Sequence, residues 1–142
     1  MTTIRGATTL TLGAGTDANI TGANANITAT TNANITASGL INMSGGFVYS
    51  VQNISGPGAI NLTDTVTFIT TTGTDAYTLA DGVEGQLKII IMKVDGGNAT
   101  ITPDNLVGFT AVRFTDVNNN VMFLYGSTGW NIIALQQATR IS

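Results

Sequence analysis

Gln86-Leu87-Lys88-Ile89-Ile90-Ile91-Met92-Lys93-Val94-Asp95-Gly96-Gly97-Asn98-Ala99 holds the longest β-branched apolar run of the chain and, directly after it, a turn signal. Isoleucine and valine favour a pleated strand over a helix, so residues 86–94 read as a strand. With a side-chain period of two, Leu87, Ile89 and Ile91 share one face and Ile90 and Met92 the other. A strand apolar on both faces needs something packed on both sides. Lys88 and Lys93 bracket the run and read as solvated strand ends. Asp95-Gly96-Gly97-Asn98 then predicts a hairpin loop leading into a strand at Thr100–Thr102. Pro103, which has no N–H to give to a ladder, is expected to end that strand.

The same period recurs on either side of this stretch. Phe47–Gln52 and Val66–Thr71 read as strands before it. Phe109–Thr115, Val121–Tyr125 and Trp130–Leu135 read as strands after it, joined by turns at Asp116–Asn120 and Gly126–Gly129. No window carries a 3.6-residue apolar stripe. Many short strands separated by turn residues predict an all-β fold, a β-sandwich or jelly-roll-like knob. Two-faced patterning returns in Val121, Phe123 and Tyr125 against Met122 and Leu124, and in Trp130 and Ile132 against Ile133 and Leu135. Either loops and the N-terminal region cover the second face, or neighbouring subunits do. On the second reading Ile90, Met92, Met122 and Leu124 are candidate subunit-interface residues. Trp130, set between Gly129 and a run of aliphatics, is expected in the core.

Composition narrows the function classes. Of the 142 residues 9% are charged and the net charge is −3, against about 25% charged in an average globular protein. So neutral a surface points to a chain that hides part of itself against copies or another protein. No apolar run approaches the ~20 residues of a membrane span, and the first residues, MTTIRGATTL, lack the apolar core of a secretory signal. The chain has no histidine and no cysteine. It therefore lacks the commonest general base, thiolate metal sites and the partner a serine nucleophile needs. Arg5, Lys88, Lys93, Arg113 and Arg140 are scattered, with no cluster to neutralise phosphates, so nucleic acid is not expected as a partner. Asp17, Asp64, Asp75, Asp81, Asp95, Asp104 and Asp116 sit in turn contexts, leaving Glu84 and one aspartate as the sole conceivable glycosidase pair. No phosphate-binding loop or calcium-loop spacing occurs. The expectation is a protein that is not an enzyme and has no cofactor and no metal.

All five Phe, all three Tyr and the single Trp follow Gly45-Gly46. This contrast predicts a thin N-terminal region over 1–45 and a knob domain over 46–142. In the first region Ala-Asn-Ile-Thr occurs at Ala18–Thr21, Ala25–Thr28 and Ala33–Thr36. Leu12, Ile20, Ile27, Ile35 and Met43 recur every seven or eight residues. One apolar residue per repeat and no charged flanks exclude a coiled coil. The Asn-x-Ser/Thr triplets follow from the repetition, and no secretory signal carries them to a glycosylating compartment. A disordered linker is one reading. The other is a run of short β-segments too thin to stand alone, either winding with sister chains through Ile20, Ile27 and Ile35 or lying as an arm on a partner surface.

Between Thr78 and Ile133 the chain shows Asp81-Gly82-x-Glu84-Gly85-Gln86-x-Lys88. Asp95-Gly96-Gly97-Asn98-Ala99-x-Ile101-Thr102-Pro103, Phe114-x-Asp116-Val117 and Gly129-Trp130-x-Ile132 follow. This stretch resembles a module of virion surface proteins of tailed bacteriophages, notably cyanophages. The Thr8–Gly15 run and the repeats resemble phage-fibre β segments in style only. The resemblance implies a homotrimeric, β-rich structural protein without catalytic residues, on the capsid exterior or on a tail fibre, made in the host cytoplasm. A chain of this length suits a capsid decoration (cement) protein or short head fibre. It would dock on the major capsid protein through Ile4, Leu10 and Leu12. A tail-fibre or spike tip that contacts the host surface is the alternative, and a carbohydrate-binding jelly roll the second.

Overall fold

A computed structural model describes residues 35–142. The chain divides into two units, Met1–Ser44 and Gly45–Ser142, and every described strand belongs to the second. The expected repeat stalk or arm lies outside the described residues, apart from its last part. There residues 35–50 form no strand and are exposed, so the strand expected over Phe47–Gln52 is not where the sequence put it: the first described strand begins at Val51.

The described residues are all-β, with ten strands in two mixed sheets. In chain order these are β1 (Val51–Ser55), β2 (Gly58–Ile60), β3 (Val66–Thr70), β4 (Asp75–Leu79) and β5 (Leu87–Val94). They continue as β6 (Ala99–Pro103), β7 (Ala111–Phe114), β8 (Asn120–Gly126), β9 (Gly129–Gln136) and β10 (Thr139–Ile141). Sheet A has the order β1-β3-β5-β8-β9 and sheet B the order β10-β7-β6-β4-β2.

From β1 to β6 successive strands alternate between the sheets, and each pairs in parallel with the strand two before it. The chain thus winds around the core in coils. After Pro103, the last residue of β6, it reverses direction. Strands β7 to β10 then close both sheets with antiparallel pairs. Jelly rolls are antiparallel throughout, so the parallel winding distinguishes this sandwich from one.

Asp95–Asn98 is accordingly not a hairpin loop, since β5 and β6 lie in different sheets. It is a crossing turn stacked on the preceding one, Thr71–Thr74. Thr71 N–H donates to Val94 O at 3.1 Å, and Asp75 N–H to Asn98 O at 2.9 Å. Gly96 N–H donates to the Thr71 hydroxyl at 2.7 Å. The stack explains the glycine pair. A Cβ on Gly96 would collide with the Thr71 carbonyl, and one on Gly97 (φ +145°) would lie 2.6 Å from the Gly73 carbonyl.

The core lies between the sheets. Thr67, Ile69, Lys88, Ile90, Met92, Val121 and Phe123 fill it from sheet A, and Ile60, Tyr77, Leu79, Ala99, Ile101, Val112 and Phe114 from sheet B. Trp130 is fully buried at one end, edge-on to Tyr125 at 5.0 Å, and its Nε1–H donates to Ala80 O at 3.0 Å. Its core position is the one read from sequence.

Candidate interaction surface

The outer face of sheet A follows directly from strand period and register. Because Thr67 and Ile69, Lys88, Ile90 and Met92, and Val121 and Phe123 turn inward, their neighbours turn outward. Cross-strand pairing then aligns Val51, Val66, Ile89, Met122 and Ala134 in one row across all five strands. A second row runs Asn53, Phe68, Ile91, Asn120 and Gln136. A third is Leu87, Leu124 and Asn131. Ile133, at the bulge of β9, adds an aliphatic side chain that is 52% exposed. Lys93, at the end of β5, has its Nζ 5.8 Å from the centroid of the Phe68 ring.

The outer face of sheet B is built differently. Its rows are Ala59, Thr78 and Thr102, and Ala76, Thr100, Arg113 and Thr139, with the pair Ala111 and Ile141 at the β7–β10 edge. Small hydroxylated side chains and an arginine suit water. The sandwich therefore has one solvated and one apolar outer face, and no described strand packs on the apolar one.

The residues singled out from sequence fall in three places. Ile4, Leu10, Leu12, Ile20 and Ile27 lie outside the described residues, and Ile35 is exposed. Ile90 and Met92 are core residues with no exposure, so contact with another subunit is closed to them. Met122 and Leu124 do stand on the outer face of sheet A. There the members from β5 are Leu87, Ile89 and Ile91, the opposite parity from the one named as interface.

Lys88 corrects a second expectation. It is not a solvated strand end but fully buried between the sheets, its ammonium donating to Asp64 O. Burial pushes its pKa down to about 8, against the opposing pull of the nearby Asp64 carboxylate. The Tyr77 hydroxyl is buried without a hydrogen-bond partner, and burial, helped by Asp75, pushes its pKa up to about 12.

The carboxylates serve the turns. Asp64 accepts from Asn61 Nδ2 at 2.8 Å, Asp75 from Thr72 N–H at 2.8 Å, and Asp81 from Asn105 Nδ2 at 2.7 Å. Among the described residues no three carboxylates gather, and no cavity forms. No protein-family model and no curated protein matches the chain.

Proposed function

We propose that this protein is a structural component of a tailed-phage virion, a capsid decoration (cement) protein or short head fibre. It acts as a homotrimer on the capsid exterior after synthesis in the host cytoplasm. The N-terminal region, with Ile4, Leu10 and Leu12, docks on the major capsid protein, and the sandwich domain assembles beyond it. The observation that supports this reading is the apolar outer face of sheet A, which suits a protein that works by assembling. The sequence resemblance to phage virion surface proteins supplies the setting. Trp130, buried in the core, is not available to line a sugar-binding groove, which weighs against the carbohydrate-binding alternative.

Deleting residues 1–15 tests the docking half of the proposal. The truncated protein is expected to lose binding to purified capsids and to keep its oligomeric mass. Normal decoration of capsids by the truncated protein would overturn it.

A further inference from the structure

We propose that the outer face of sheet A is the surface on which copies of this chain meet, three of them enclosing a shared apolar interior. The inference rests on the reading of the protein as an assembling one and names both the partner and the face.

Three observations point to a second copy as the occupant. The first is area. Five strands about 4.8 Å apart and three side-chain rows about 6.8 Å apart give a flat footprint on the order of 400 Å². An apolar patch of that size on a monomer is commonly functional.

The second is charge. The face has no carboxylate, and Lys93 at its end is the one ionised side chain among its described residues. Its polar members are neutral: the amides Asn53, Asn120, Asn131 and Gln136 and the hydroxyls Ser55 and Thr70. A neutral face offers nothing to steer or select a foreign, charged partner. Around a three-fold axis a face meets copies of itself, and a neutral face does so without the like-charge repulsion that a charged one would suffer.

The third is shape. Five strands span about 19 Å from first to last, and three such sheets set as a triangle leave each about 5.5 Å from the common axis, close to half the ~10 Å spacing of stacked sheets. Ile89, on the central strand β5, and its row neighbours Val66 on β3 and Met122 on β8 then point at the axis and fill it. Val51 and Ala134 lie towards the corners, where β1 and β9 of adjacent copies come together. The threonine-rich face of sheet B is left outward, in water.

The absence of cysteine makes the test clean, because any disulfide must join introduced residues of different copies. Full-length Met122→Cys is expected to cross-link under mild oxidation, while Thr100→Cys on the outer face of sheet B stays uncross-linked. The wild-type mass by light scattering is expected to be that of three chains. Ile89→Lys should reduce it to one chain while the far-UV spectrum remains that of the folded sandwich. A single-chain mass for the folded wild type would overturn the proposal, as would cross-linking through Thr100→Cys in place of Met122→Cys. A capsid-binding assay on the same samples separates the two readings. A monomer that still decorates capsids overturns this inference and leaves the virion function standing. Trimers joined through sheet A that ignore capsids do the reverse.

Discussion

Lys88 shows how a single side chain can be assigned to the wrong environment by pattern alone. It shares its strand face with Ile90 and Met92, and Lys93 shares the other with Leu87, Ile89 and Ile91. Each parity of β5 thus carries one lysine, and charge cannot decide which set faces the core. The tie is broken by reach. The Lys88 side chain spans the interior to Asp64 O, and its long aliphatic stem packs as an apolar residue would. Its lowered pKa makes a prediction with a definite sign. The folded value of about 8 lies below the ordinary 10.5, so between those pH values the unfolded chain binds more protons. Stability gains from this group as pH rises through that window, and the group adds no slope below it. Lys88→Met is expected to remove that gain. Urea midpoints of both proteins from pH 7 to 10.5 check it, because the difference between the two curves isolates this one group.

At the scale of elements, the strands with strong period-two patterns were legible in sequence. β3 and β5 to β9 lie where Val, Ile, Phe and Trp alternate, and Pro103 ends β6 as its missing N–H requires. β2, β4 and β10 were not. Gly58–Ile60 has one inward aliphatic, Asp75–Leu79 opens on a residue typical of turns, and Thr139–Ile141 is mostly polar. They are strands because each finds a neighbour already in place, a tertiary effect that local propensity does not contain. The Asp95–Asn98 turn teaches the same lesson. Asp-Gly-Gly-Asn has hairpin chemistry, yet its glycines serve close approach to the Thr71–Thr74 turn of the previous coil. Gly96→Ala is therefore expected to destabilise the sandwich by about 1–3 kcal/mol, because its Cβ would collide with the Thr71 carbonyl and force the stacked turns apart. A hairpin turn free in water would not incur that cost. Equilibrium denaturation of the variant against wild type measures it.

For the whole molecule, the two outer faces set the behaviour. If copies meet through sheet A, folding and assembly are coupled and the melting temperature depends on protein concentration. The wild-type melting temperature is expected to rise with each dilution step reversed, and Ile89→Lys to melt at a lower temperature that concentration does not change. Differential scanning calorimetry over a dilution series gives the answer. The amino-acid sequence by itself determined that the described domain is all-β, that Trp130 belongs to a core, and that several strands are apolar on both faces. These follow from composition and from a period that each strand carries within itself. Only the tertiary structure decided that successive strands wind in parallel between two sheets, that Ile90 and Met92 lie inside, and that Leu87, Ile89 and Ile91 lie outside. Pairing partners and the direction of the core are set by contacts between residues far apart in the chain. A two-faced strand satisfies its own periodicity equally well with either face inward.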